Sequence, residues 1–137
     1  MPSEDTPVVV DTSVVSIIFD RRDYHLFYEV GLRHRQAIVA FQTLEEMWFG
    51  AINAGWVERR MNRLRDHLSL YRVIWPDGRT VETSALLRSQ RKRQGRELQT
   101  ADAWIAATAL TLGYPLATHN RDFEGIPDLE LIKASAA

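Results

Sequence analysis

The chain has 137 residues, which suits one domain spanning residues 1–137 with a hydrophobic core of its own. Hydrophobic residues make up 45% of the sequence and charged residues 26%, as in ordinary globular proteins, and the net charge of −1 does not by itself indicate a nucleic-acid partner. The lack of cysteine excludes disulfides, thiolate metal sites and cysteine nucleophiles, and neither a membrane-spanning apolar run nor a secretory signal pattern is present, so we expect a cytoplasmic protein without membrane contact.

Three consecutive β-branched residues, Val8–Val10, predict a first strand that is buried on both faces. Hydrophobic periodicity and turn residues then predict helices at 14–19, 23–32, 43–54, 56–70, 80–94 and 101–112, and further strands at 37–40, 71–74, 115–118 and 129–132. Strands that alternate with helices are typical of an α/β fold, with a parallel sheet and helices on both faces. Only the chain ends, residues 1–6 and 134–137, are expected to fray.

Asp11 follows the first strand directly, in the segment Asp11-Thr12-Ser13. Ligands of open α/β sheets bind beyond the carboxyl ends of the strands, so Asp11 is a candidate site residue. The same three residues are also a common turn and helix cap. Taken alone, Asp11 does not decide between the two interpretations.

Two further carboxylates lie at the starts of predicted helices. Glu46 stands three residues after Thr43, which is the spacing of a capping box, and helical periodicity does not favour Glu46 over Glu45. Asp102 lies in the first turn of a helix that is apolar almost all round. The helix dipole favours an acidic residue there, but a carboxylate amid apolar surface is costly unless it is paired or bound to a cation. This cost favours a functional role for Asp102.

Asp122 follows the fourth predicted strand, and Thr118 and Asn120 add polar groups at the same edge of the sheet. An Asx-type turn would explain Asp122 equally well. If the strands before Asp11 and Asp122 are neighbours, four carboxylates converge on one pocket. Crowded carboxylates raise each other's pKa unless a cation neutralises them. Oxygen ligands of high charge suit Mg²⁺ or Mn²⁺, and such sites usually serve phosphoryl chemistry.

Four segments, in this order, carry a wider pattern: Val9-Val10-Asp11-Thr12-Ser13, Thr43-x-x-Glu46-Met47-x-x-Gly50-Ala51, Asp102-Ala103-Trp104-Ile105-Ala106-Ala107-Thr108-Ala109 and Leu116-Ala117-Thr118-His119-Asn120-Arg121-Asp122-Phe123. Together they resemble PIN-domain ribonucleases, and more narrowly the VapC-type toxins of toxin–antitoxin pairs. The resemblance covers nearly the whole chain. It implies a PIN-like three-layer α/β sandwich with a central five-stranded parallel sheet, and Mg²⁺- or Mn²⁺-dependent cleavage of RNA. It also implies a homodimer and a cognate, VapB-like antitoxin whose C-terminal segment covers the site.

The resemblance places three acidic positions of the family at Asp11, Glu46 and Asp102, because the Glu-x-x-x-Gly spacing selects Glu46 over its neighbour. The fourth acidic position varies more within the family. Asp122 is assigned to it here, and Asn120 is the alternative that would share or replace its role.

We expect these residues to hydrolyse RNA phosphodiester bonds with the help of a metal ion. Asp11 and Asp102 would bind the cation directly, and Asp122 directly or through water. Glu46 would hold a water on the ion and act as general base. The polar residues expected to orient these ligands are Thr12, Ser13, Thr118 and Asn120.

A basic cluster precedes the helix that carries Asp102, and it consists of Arg88, Arg91, Lys92, Arg93 and Arg96. The cluster would guide an RNA backbone, or it is the solvated end of a helix, where the dipole favours cations. Two other functions fit the same sequence. They are a PIN-like nuclease of broader or DNA-directed specificity, and a non-catalytic RNA-binding domain.

Overall fold

The computed structural model describes residues 5–135, which form five strands and six α-helices, with two helices between each of the first four strands. The strands are β1 (Val8–Val10), β2 (Ala37–Ala40), β3 (Arg72–Ile74), β4 (Leu116–Ala117) and β5 (Leu131–Ile132). The helices are α1 (Thr12–Phe19), α2 (His25–Leu32), α3 (Phe41–Asn53), α4 (Glu58–Leu68), α5 (Gly78–Arg93) and α6 (Thr100–Leu112), and a short 3-10 helix spans Arg121–Phe123. None of these helices is long and apolar enough to cross a membrane.

All five strands are parallel and follow the order β3-β2-β1-β4-β5 across the sheet. β1 is the central strand, in which Val9 pairs with Ile38 of β2 and with Leu116 of β4. The three valines of β1 are fully buried, as expected for a strand covered on both faces. The predicted α/β fold with a five-stranded parallel sheet is confirmed.

Helices cover both faces of this sheet because successive strand residues point to opposite sides. Val8 and Val10 belong to a core that includes side chains of α1, α2, α3 and α4. Val9 packs together with Ile38 in a second core, against α5 and α6. The three layers of the predicted sandwich are therefore α1–α4, the sheet, and α5 with α6.

The strand order places a crevice at the centre of the sheet. β2 lies on one side of β1 and β4 lies on the other, so the carboxyl ends of β1 and β4 flank a topological switch point. In open α/β sheets this is the usual position of a ligand. Asp11 directly follows β1 and Thr118 directly follows β4, so both predicted site residues lie at the switch point.

Several element bounds differ from the prediction by up to two residues, and two differences in local structure matter here. α3 begins at Phe41, two residues earlier than predicted, and its N-cap residue Ala40 offers no side-chain hydrogen bond. Thr43 therefore lies inside the first turn and forms no capping box with Glu46. Ala134, which was expected to fray, is 3% exposed and its backbone N–H is hydrogen-bonded. Residues 1–4 and 136–137, expected to fray as well, lie outside the described residues.

Candidate acidic active site

Asp11 lies in the crevice between β1 and β4 and is 3% exposed. Its Oδ2 accepts hydrogen bonds from Ser13 Oγ (2.6 Å) and from Thr118 Oγ1 (2.9 Å). Burial raises the pKa of Asp11, and these two hydrogen bonds act in the opposite direction. One bond comes from the adjacent segment and the other from the end of the neighbouring strand. The carboxylate is therefore held in one orientation by hydroxyl groups that follow β1 and β4.

Glu46, in the second turn of α3, faces the same crevice. The Thr12 hydroxyl donates to Oε1 of Glu46 (2.8 Å) and lies 3.0 Å from the hydroxyl of buried Thr43. Burial is the main cause of the raised pKa of Glu46; the bond from Thr12 opposes it, and the charge of Asp11 adds to it. Glu45 is exposed, so the structure brings Glu46 and not its neighbour to Asp11.

Asp102 lies in the first turn of α6, close enough to the other three carboxylates for their charges to affect its pKa. Burial raises its pKa to about 6, and the charges of Asp11, Glu46 and Asp122 contribute further. Among residues 5–135, no Lys or Arg forms an ion pair with Asp102. The four carboxylates predicted from the sequence therefore act on one another electrostatically, and we call them the acidic centre.

Asp122 occupies the 3-10 helix after β4 and is exposed. Asn120 caps this helix, because its Oδ1 accepts a hydrogen bond from the backbone N–H of Asp122 (2.9 Å). The backbone N–H of Asn120 in turn donates to Thr118 Oγ1 (3.0 Å). Asp122 can therefore belong both to a turn and to the site. The Asn120 side chain stabilises the turn, and the negative charge of Asp122 raises the pKa of Asp102.

The four residues expected to orient the ligands divide into two groups. Ser13 and Thr118 bond to Asp11, and Thr12 bonds to Glu46. Asn120 bonds to the hydroxyl of Thr118 and to the backbone N–H of Asp122. It therefore acts on Asp11 indirectly, through Thr118.

The basic cluster contains one buried and four exposed side chains. Arg91 is 2% exposed, and its Nη2 donates to the backbone carbonyls of Asp122 (3.0 Å) and Glu124 (3.2 Å). Its predicted contact with RNA is therefore corrected: Arg91 ties α5 to the 3-10 helix and does not reach the surface. The exposed members are Arg88, Lys92, Arg93 and Arg96.

Tyr28 supports the site and was not indicated by the sequence pattern. It is fully buried, and its hydroxyl donates to the carbonyl of Thr118 (3.0 Å) and lies 2.7 Å from Nδ1 of His119. A signal was present, because a tyrosine within an apolar helix needs a partner for its hydroxyl when it is buried. The apolar spacing of α2 instead predicts a different buried face, whose residues are exposed: Leu26, Phe27 and Val30.

The chemistry of the acidic centre fits a hard divalent cation. Its side-chain donors are carboxylate oxygens supported by hydroxyl groups, and three of the carboxyl pKa values are raised. Within the described part of the chain, no three Asp, Glu or His side chains are already arranged as ligands of one ion. Mg²⁺ suits such an open arrangement, because it retains several waters and is bound through only one or two carboxylates.

Comparison with known proteins agrees with this geometry. The model of the PIN domain family matches residues 8–129. Ribonuclease VapC4 of Mycobacterium tuberculosis is 32% identical over 129 residues, which cover 90% of this chain and 94% of that protein. In the crystal structure of VapBC2 from Rickettsia felis bound to a DNA fragment from their promoter, one chain is similar with a TM-score of 0.81 and 21% identity, covering 93% of this chain and 98% of that chain. A chain in the structure of VapBC-1 from nontypeable Haemophilus influenzae is similar with a TM-score of 0.78 and 25% identity, covering 92% of this chain and 96% of that chain. The chain therefore belongs to the PIN-domain family and, within it, to the VapC group.

Proposed function

We propose that the protein is the toxin of a toxin–antitoxin pair, a Mg²⁺-dependent endoribonuclease that hydrolyses RNA phosphodiester bonds at the acidic centre. The observation that supports this most is the crowding at Asp102. Its pKa is raised by burial and by three other carboxylates, with no ion-pair partner for it among residues 5–135. Such an arrangement is unfavourable without a cation, and it is what a divalent metal would stabilise.

Each carboxylate has a separate role in the proposal. Asp11 and Asp102 hold the ion, and Asp122 holds it directly or through water. When bound, Mg²⁺ or Mn²⁺ supplies the positive charge that orients water and stabilises charge on the phosphate. Glu46 takes the proton of the attacking water as general base, and its bond from Thr12 keeps its carboxylate in position.

The exposed basic side chains at the end of α5 supply the attraction for the RNA backbone. Arg88, Lys92, Arg93 and Arg96 are exposed, while Arg91 is excluded by its burial. Each phosphate contact that a cation makes releases counterions, so it steepens the dependence of affinity on salt. Replacing Arg88, Lys92 and Arg93 by Glu should weaken RNA binding and flatten that dependence, whereas an unchanged slope would remove these residues from the interface.

The partners are a cognate VapB-like antitoxin and a second copy of this chain. The structures similar to this chain include toxin–antitoxin complexes, which supports an antitoxin partner. We expect the protein to act in the cytoplasm as a homodimer. Its expression should arrest growth, and co-expression of the antitoxin encoded beside it should restore growth.

The direct test is RNA cleavage by the purified protein in Mg²⁺ with Asp11→Asn and Asp102→Asn as variants. Each variant should lose at least about 100-fold in rate, because each removes a charged ligand, and EDTA should abolish the wild-type activity. If both variants cleave at nearly the wild-type rate, the site is elsewhere. A parallel panel of DNA substrates tests the rival nuclease specificity, and RNA binding without cleavage by the wild type would favour the non-catalytic alternative.

A further inference from the structure

We propose that the carboxyl edge of the sheet carries two positions that stack nucleobases, one on each side of the acidic centre. The first is Trp75 with Phe41 behind it, and the second is Tyr24 beside His119. The proposal rests on the proposed function and deepens it, because it names the side chains that would hold the bases on either side of the cut.

The first position lies beyond the ends of β2 and β3. Phe41 follows β2 and Trp75 follows β3, and their rings stack with centroids 5.8 Å apart and planes 24° apart. Phe41 also meets Trp104 edge-on at 5.8 Å, and Trp104 stands two residues after Asp102 on α6. Trp75 is 68% exposed, although large aromatic side chains are usually highly buried. One face of its indole is therefore open, and the ring is held by Phe41, which contacts Trp104 on the helix that carries Asp102.

The second position lies beyond the end of β4. His119 directly follows Thr118, and its backbone N–H donates to Ser13 Oγ (3.0 Å), the group that bonds to Asp11. The His119 ring lies 5.2 Å from the ring of Tyr24, which is 42% exposed. Tyr24 has φ +75°, a left-handed conformation that is uncommon for a tyrosine and tends to occur at functional sites. The two rings line an open depression of about 450 Å³ together with Ile17, Asp23 and Arg22, of which Arg22 is a cation suited to phosphate.

The strand order arranges these groups in one line. Across the carboxyl edge, Trp75 follows β3, Phe41 follows β2, Asp11 follows β1 and Thr118–His119 follows β4. Neighbouring strands are about 4.8 Å apart, so the two positions are about two strands and one strand away from Asp11. Adjacent nucleotides of one extended strand can span such distances. A phosphate at Asp11 would thus place flanking bases against the aromatic rings.

Aromatic stacking of this kind suits unpaired bases of any identity. Every base presents a π-face, whereas the bases of a duplex are already stacked on one another. The two positions therefore favour loops and other unpaired segments over double helices without reading a sequence by hydrogen bonds.

The test compares two probes that share a backbone and differ in their bases. One is a fluorescein-labelled oligoadenylate of about ten nucleotides, and the other is an abasic ribose–phosphate oligomer of the same length. Affinity is measured by anisotropy in EDTA, which keeps binding separate from metal-dependent cleavage. The wild type should bind the oligoadenylate more tightly, and Trp75→Ala and Tyr24→Ala should each weaken that binding by about tenfold while leaving the abasic probe unaffected.

Two further variants act as controls. Trp75→Phe retains a stacking face and should recover most of the affinity that Trp75→Ala loses. Phe49→Ala removes an aromatic ring that is 63% exposed on α3, nine residues beyond β2, and should leave both affinities unchanged.

Three results would overturn the inference: equal wild-type affinity for the two probes, an unchanged base preference in both alanine variants, or a change of oligomeric state in Trp75→Ala that makes Trp75 a contact between copies. The proposed function can fail separately. A wild type that cleaves RNA in Mg²⁺ but binds both probes equally retains that function and loses the stacking positions. A wild type that shows the base preference but cleaves no RNA has the stacking positions without the hydrolase activity.

Discussion

Asp102 is the residue of the acidic centre whose pKa is raised by the charges of all three other carboxylates. Its pKa of about 6 in the folded protein lies above the ordinary value of 3.8. Between these two values the folded protein binds more protons than the unfolded protein does, so the free energy of unfolding decreases as the pH rises through about 6. The ionised carboxylate of Asp102 therefore destabilises the metal-free fold at neutral pH.

Asp102→Asn should consequently stabilise the metal-free protein while it removes RNA cleavage. At about pH 7.5 we expect the free energy of unfolding to rise by about 1–2 kcal/mol, less than the full pKa shift implies because solvent screens a half-buried carboxylate, and the Tm to rise by a few degrees. At about pH 5 the gain should shrink, because most Asp102 carboxyls are already protonated in the folded wild type. Thermal unfolding in EDTA at the two pH values measures both effects.

The matched control for this variant is Asp66→Asn, which neutralises an exposed carboxylate on α4 outside the acidic centre. Its Tm should stay at the wild-type value at both pH values. If Asp102→Asn unfolds at or below the wild-type Tm at about pH 7.5, the ionised Asp102 does not oppose folding.

Thr12 offers a second prediction at the scale of one residue, because its hydroxyl bonds to the proposed general base. That bond lowers the pKa of Glu46, so Thr12→Val should raise the pKa and shift the acidic limb of the pH–rate profile for RNA cleavage to higher pH. We expect the rate near neutral pH to fall about tenfold. Thr12→Ser retains the hydroxyl and should keep the wild-type profile; a profile that is equally unshifted in Thr12→Val would remove Thr12 from this role.

At the scale of the elements, Arg91 connects α5 to the 3-10 helix after β4. Arg91→Ala removes the donor to the Asp122 carbonyl and one of the two donors to the Glu124 carbonyl, where Arg96 remains, and it opens a cavity, so it should lower the free energy of unfolding by about 2 kcal/mol or more. It should also reduce RNA cleavage, because Asp122 lies in that helix. Arg88→Ala removes an exposed arginine from the same helix, α5, and should leave the unfolding free energy within about 0.5 kcal/mol of the wild type.

Denaturant unfolding of the two alanine variants distinguishes the roles of these arginines. Equal stabilities would mean that the contacts of Arg91 with the 3-10 helix contribute nothing to the fold. A loss of stability confined to Arg91→Ala would confirm its structural role.

How far the elements follow from the sequence depends on whether their causes are local. The run Ala37–Ala40 is predicted with its observed bounds, because β-branched and small apolar residues that follow a polar segment indicate a buried strand locally. The start of α3 is not predicted, because Thr43 and Glu46 fit a capping box as well as they fit their observed bonds with Thr12. Those bonds join residues more than thirty positions apart, which no local pattern contains.

The same limit explains what the sequence revealed of the candidate site. Its four carboxylates are found from motif spacing, and the sheet order then brings them together at one edge. The burial of Arg91 depends on a loop thirty-one residues further along the chain. The local sequence therefore predicts one exposed basic surface over residues 88–96, with Arg91 included. The role of Tyr28 is not predicted for a similar reason. Its hydrogen-bond partners, Thr118 and Ala134, lie just after β4 and β5, about ninety or more residues further along the chain.

At the scale of the whole molecule, the topology concentrates negative charge at one edge, and a divalent cation should therefore stabilise the fold. Mg²⁺ that binds the folded protein and not the unfolded chain raises the free energy of unfolding by about 1.4 kcal/mol at roughly ten times its dissociation constant. The rise in Tm should be larger at about pH 7.5 than at about pH 5, since protonation of Asp102 competes with the ion below about pH 6.

Thermal unfolding with MgCl₂, against choline chloride of equal ionic strength, measures this difference. Asp102→Asn should lose most of the shift, and Asp66→Asn should retain it. Equal Mg²⁺ shifts in the wild type and in Asp102→Asn, or at both pH values, would mean that the ion binds elsewhere on the protein.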